Sequence, residues 1–137
     1  MIELVFVIVV LGILAAVAVP KFTATRIDAQ ITKGRSDVAA IRSAIINERQ
    51  SRLFRGQPAF LTTLDSGGGQ LFDGNGSNGL LQYPITPSAT AGHWSKLANN
   101  QYRYMVGGST GNADFTYTPG TGTFNCAAST ACTKLTR

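Results

Sequence analysis

Apolar residues are distributed along this chain in two regimes. From Leu4 to Val19 no position carries a charge or a strong polar group. Farther on, the apolar positions thin to Ile27, Ile31, Val38, Ile41 and Ile45, at steps of 4, 7, 3 and 4 with Gly34 in the gap. That spacing makes one narrow helical stripe. A stripe needs a single partner face, whereas a helix that is apolar all round needs an apolar environment on every side. Together the two regimes predict one long helix to about residue 55. It is stopped by Gly56, which suits a left-handed C-cap, and by Pro58, which cannot continue a helix. Arg49, Arg52 and Arg55 in its last turns complement the negative end of the macrodipole. Pro20 removes one backbone hydrogen bond and Gly12 weakens the same stretch, so a kink or local melting is expected between Gly12 and Pro20.

After Gly56 the composition turns to Gly, Ser, Thr and Asn. Residues 65–79 read as a flexible Gly-rich connection, and Leu80 to Ile85 as a short strand closed by Pro84 and Pro87. "QYRYMV" (Gln101 to Val106) alternates as a half-buried strand should. "DFTYT" and "TFNC" flank Pro119-Gly120-Thr121-Gly122, a hairpin whose turn residues explain it. The fold class is therefore α+β: a long N-terminal helix, apolar in its protruding half and amphipathic in its second, packed on a small antiparallel sheet. At 137 residues the chain makes one domain and hardly more. The aromatics and leucines from Phe54 to Phe124, Tyr83 among them, are the candidate core, and His93-Trp94 reads as a packed aromatic corner with a satisfied imidazole.

Charge sharpens the picture of the helix. Residues 21–55 hold eight Lys and Arg against three Asp and Glu, a surplus of five that equals the whole chain's net charge of +5. A solvated helix face is the favoured account, and the alternative is a basic stripe facing anionic headgroups, nucleic acid or an acidic neighbour. No enzyme emerges: there is one histidine, and the acids show no catalytic spacing. Cys126 and Cys132 in "CAASTAC" are too few for a zinc site and do not form a C-x-x-C pair. A structural disulfide is the best account, and it implies an oxidising compartment. Asp73, Asn75 and Ser77 have the oxygen spacing of a calcium loop, but the bidentate Glu wanted at loop position 12 is here Pro84. A plain loop is favoured over calcium, and no cofactor is expected.

The first segment admits three accounts. As a signal peptide it would have "AVA" (Ala16 to Ala18) near a cleavage site, yet its n-region carries Glu3 and no base. As a core helix it would need a larger domain to wrap it. As a membrane span it needs about 20 residues, slightly more than Ile2 to Val19 supplies. The membrane reading fits the chemistry best.

Residues 2–22, "IELVFVIVVLGILAAVAVPKF", resemble the N-terminal segment of type IV pilins and of the related pseudopilins of type II secretion and DNA-uptake machines. In that family an acid is followed by an apolar helix with its Gly and Pro, and Glu3, Gly12 and Pro20 have the family's mutual spacing. The family's acid is normally the fifth mature residue, so the resemblance implies two residues and a basic leader ahead of Met1. It also implies that residues 1–22 span the inner membrane and later form a filament core, with 23–137 as the globular head. A prepilin peptidase would remove the leader, the new terminus would be methylated, and assembly machinery would build a helical homopolymer at the cell surface. Glu3 would set the register between subunits by pairing with a neighbour's terminal ammonium, because a carboxylate in a low-dielectric bundle is costly unless paired. The cysteine pair resembles the pilin loop that braces the head, which favours a pilus subunit. The alternative is a pseudopilin, some of which bind calcium in a late loop. A different class, a small secreted binding module behind an ordinary signal peptide, stands third. DNA and surfaces are open as further partners.

Overall fold

The computed structural model describes residues 1–74 and 79–137. One helix, α1 (Ile2–Phe54), takes up 53 residues and runs about 80 Å at 1.5 Å per residue. It continues as helix through Pro20. It ends as the sequence predicts, with Gly56 in the left-handed region (φ 75°). The Gly56 and Gln57 N–H groups donate to the carbonyls of Leu53 and Arg52, at 3.0 and 2.9 Å. That pair of bonds satisfies carbonyls the last turn would leave open.

The head is a four-stranded antiparallel meander in the order β1 (Trp94–Ala98), β2 (Gln101–Met105), β3 (Asn112–Thr118) and β4 (Thr123–Cys126), followed by a short helix, α2 (Thr130–Thr136). In β2 and β3 alternate residues are buried: Tyr102, Tyr104, Ala113, Phe115 and Tyr117 point inward. The β3–β4 turn is the expected Pro119–Gly122 hairpin. Gly122 takes a φ of 69° there, and the Phe60 ring lies where a β-carbon would stand. A cluster of rings fills the centre, with Phe115 stacked on Phe124 at 5.0 Å and Phe72 edge-on to Trp94 at 5.6 Å. Aromatic pairs in these geometries add to what area burial alone contributes.

The stripe on α1 is the inner wall of this core: Ile31, Gly34, Val38, Ile41 and Ile45 are its buried residues. Gly34 explains why the stripe has a gap. A β-carbon there would stand 2.6 Å from both Leu135 Cδ2 and Tyr104 Cε1, so the missing side chain lets α2 and β2 close on the helix. Polar groups stitch the seam. The Trp94 indole donates to Asp37 (3.0 Å), Lys33 to the Gly92 carbonyl (2.7 Å), and Arg42 through two nitrogens to the Phe124 carbonyl (3.2 and 3.1 Å). Arg35 donates to the Lys134 carbonyl (2.5 Å) and Tyr104 to the Gln30 carbonyl (2.6 Å). Arg49 lies 3.8 Å over the Phe60 ring, and Arg52 pairs with Glu48. Most of the basic surplus is thus neither a bare solvated face nor a free anion-binding stripe: it fastens the helix to the carbonyls and ring of its own head.

Several expectations are corrected. Leu80 to Ile85 is not a strand; the segment makes only an isolated bridge between Leu71 and Ile85, because Pro84 removes a donor and shortens the ladder. Residues 65–74 of the Gly-rich connection are anchored rather than slack, with Leu71 and Phe72 in the core and Asp65 buried, and residues 75–78 of it lie outside the described residues. Asp65 accepts from Lys96 and from the Tyr102 hydroxyl, both at 2.7 Å. Phe54 and Tyr83 lie outside the core, 93% and 81% exposed. His93 is exposed, and only its neighbour Trp94 is packed.

Candidate functional site

The feature that the head does not explain is the first half of α1. Residues 1–17 and 19–26 are exposed throughout, and the window apolar enough to cross a membrane has none of its residues buried. Packing against the head begins at Ile27, whose side chain lies over Gly108. About 30 Å of helix, Ile2 to Phe22, therefore stands free with Leu4, Phe6, Leu11, Leu14 and Phe22 turned outward. Exposed apolar surface on this scale marks a contact with lipid or protein. An 18-residue span is close to the ~30 Å of a bilayer core.

Glu3 sits in the first turn, where its charge opposes the positive end of the helix dipole. It has no ion pair or hydrogen bond among the described residues. Gly12 faces open space, with nothing within 4 Å of where a β-carbon would stand. Around Pro20 the helix recruits side chains: the Thr23 and Thr25 hydroxyls donate to the carbonyls of Val19 and Lys21, at 3.3 and 3.0 Å. Back-bonding of this kind loosens or bends a helix locally. So Glu3, Gly12 and Pro20 lie on one free rod, while the remaining predicted residues belong to the head.

Cys126 and Cys132 form a disulfide, with Cα atoms 5.8 Å apart. It ties the end of β4 to the first turn of α2, which Ser129 caps by accepting from the Cys132 N–H (3.0 Å). Ala131 and Leu135 of α2 are buried, Leu135 beside Gly34. This short helix is a structural element that sequence reasoning missed; the signal was Ser129 ahead of small and apolar residues at 131, 132 and 135.

Of the calcium candidates, Asn75 and Ser77 lie outside the described residues. Asp73 turns its carboxylate inward on the loop, accepting from the Ser66 N–H at 2.7 Å and from the Ser66 hydroxyl. Among the described residues no three His, Cys, Asp or Glu side chains cluster as metal ligands would.

Electrostatics in the head serve packing. Burial pushes the Asp37 carboxyl up, against the Trp94 indole and the nearby positive charge of Lys33, which pull it down. Burial, with the Asp37 charge beside it, pushes the Tyr104 phenol up to about 12. Burial and the bond to Asp65 raise Tyr102 further still. The two phenols stay protonated across ordinary pH and act as fixed struts. No protein-family model, curated protein or solved structure matches the chain.

Proposed function

We propose that this protein is a pilin-like subunit. It is stored in a membrane through residues 2–22 and polymerises through the same residues into a helical filament whose core is the bundled N-terminal helices. The observation that carries the reading is the division of α1. One continuous helix has a second half docked on its head and a first half that is apolar on all sides and touches nothing. A bilayer satisfies such a surface before assembly, and copies of the same helix satisfy it afterwards. Burial of a full apolar side chain contributes about 1.5–3 kcal/mol, so several per subunit suffice to hold a polymer together.

Glu3 is the residue that distinguishes assembly from mere anchoring. On a lone helix a first-turn carboxylate gains about 0.3–1 kcal/mol from the dipole. Inside a bundle it needs a cation, and the terminal ammonium of a neighbouring subunit supplies one at a single stagger. The head disulfide agrees with an extracytoplasmic location.

Electron microscopy of material sheared from cells, with the subunit identified by mass spectrometry, tests the reading. Long fibres built of this chain are expected. Short or absent fibres with the subunit in an envelope complex would favour the pseudopilin alternative. A mature chain that has lost residues 1–19 would overturn both.

A further inference from the structure

Six of the eight cations between residues 21 and 55 are held by a hydrogen bond, ion pair or ring contact to the head or within α1, and the two that remain are those nearest the apolar run. Lys21 and Arg26 are exposed, and their side chains have no hydrogen bond or ion pair among the described residues. Arg26 lines an open cleft of about 240 Å³ where α1 first meets the head, together with Thr23, Ile27, Gln30, Gly107 and Gly108. No carboxylate lines this cleft. Asp28, the nearest acid on the helix, lies about 200° around the axis from Arg26. The Gln30 side-chain oxygen accepts from the Gly107 N–H at 2.9 Å, which leaves its amide nitrogen as a second donor at the cleft.

Depth adds an independent constraint. From Val19 to Arg26 the helix rises about 10 Å. The headgroup layer beyond each side of the hydrocarbon core is about 5–8 Å thick. Helical side chains lean towards the N-terminus, so an arginine at 26 reaches back along the axis into that layer. Lys21 lies inside the same layer on another flank and extends its ammonium to the same level.

We propose that, while the subunit stands in the membrane, this cleft holds the headgroup of an anionic phospholipid. The lipid phosphate pairs with the forked donors of Arg26, and Lys21 fastens a second headgroup around the helix. The inference rests on the membrane reading above. It gives the junction a role that packing does not require, which is to fix the depth and tilt at which the subunit waits. The ion pairs must break when the subunit leaves the bilayer.

The test uses the full chain in nanodiscs of phosphatidylcholine containing a minority of phosphatidylglycerol, with retained lipids counted by native mass spectrometry. Enrichment of phosphatidylglycerol over its bulk share is expected. A base near an anionic surface is worth about 1 kcal/mol, so Arg26→Gln and Lys21→Gln are each expected to lower the preference by about fivefold. Lys134→Gln, on α2, is expected to leave it unchanged. Alkaline extraction of the chain from vesicles separates the two ideas. A chain that washes off overturns the membrane reading and this site with it. A chain that stays inserted but shows no lipid preference, or keeps its full preference as Arg26→Gln, overturns the headgroup site alone.

Discussion

The two halves of α1 share isoleucines and valines and put them to opposite uses. In the second half, isoleucine and valine recur on one stripe, and every buried position has a head residue against it. In the first half they occupy the whole circumference and have nothing against them. Hydrophobicity alone does not distinguish Ile13, 63% exposed, from Ile41, fully buried. The angular distribution does. A stripe is completed within the chain, whereas a full circumference can be completed only by something outside it. Several polar groups follow the same division, since Lys33, Asp37 and Arg42 of the second half bond to the head, whereas the Glu3 side chain has no partner among the described residues.

The largest expected effect strikes the free half. Removing one member of a buried ion pair costs about 3–5 kcal/mol. Glu3→Ala is therefore expected to cut filament yield a hundredfold or more while leaving the subunit inserted in the membrane, measured as sheared fibre against total membrane-bound subunit. Normal fibre yield would defeat the register role and leave Glu3 as an ordinary first-turn acid.

Next comes a direct contrast between the halves. Ile41→Ala is expected to lower the stability of the detergent-solubilised monomer by about 2–5 kcal/mol, the usual cost of a core truncation. Ile13→Ala is expected to change it by no more than about 0.5 kcal/mol, as at other exposed sites, and to show itself only in assembly. Thermal unfolding followed by circular dichroism checks both. Equal losses in the monomer would mean that the first half folds back on the head.

Much of this division is legible in the sequence. Angular spacing alone identifies the stripe, Gly56 and Pro58 mark the stop, and Pro119–Gly122 marks the hairpin. What escapes is whatever depends on a partner distant in sequence. β1 does not alternate in burial, because only Trp94 is buried and the residues after it are half-buried or exposed, so its identity comes from pairing with β2. Leu80 to Ile85 has strand-like residues, but among the described residues its pairing stops at the Leu71–Ile85 bridge and a bond from the Leu81 N–H to the Phe72 carbonyl. α2 is too short to show a period, and it exists because Gly34 leaves room for Leu135. In the candidate site, residue type singles out Glu3 as an acid heading an apolar run and Gly12 and Pro20 as helix-weakening residues, whereas the uses of Lys33, Arg35 and Arg42 appear only once the head's carbonyls are in place.

Within the seam, Asp37 allows a finer cut. Asp37→Ala leaves the buried Trp94 N–H without an acceptor, for an expected loss of about 1–3 kcal/mol. Asp37→Asn keeps an acceptor and removes a charge, so it is expected to be neutral or mildly stabilising at neutral pH. The pH dependence has a defined sign. The folded-state value of Asp37 is raised, so its contribution is fully present below the ordinary carboxylate value and declines as pH rises through the folded value. Unfolding midpoints measured across mildly acidic pH are expected to slope more for the wild type than for Asp37→Asn, and identical slopes would remove Asp37 from the seam's energetics.

The smallest effect is expected on the outer face of the sheet. Arg103 pairs with Asp114 through two nitrogens, at 2.7 and 2.8 Å, with side chains 35% and 40% exposed. The pairing holds the Asp114 carboxyl below its ordinary value, so its contribution is present above that value and is lost as pH falls through the folded one. Solvent screens this pair as it does not screen Asp37. Arg103→Ala is accordingly expected to leave the unfolding midpoint almost where it was and to abolish whatever salt dependence the pair carries. A large loss would mean that this face of the sheet is covered in the assembled state being measured. The division between a head complete in itself and a helix that needs neighbours would then have to be redrawn to include the sheet.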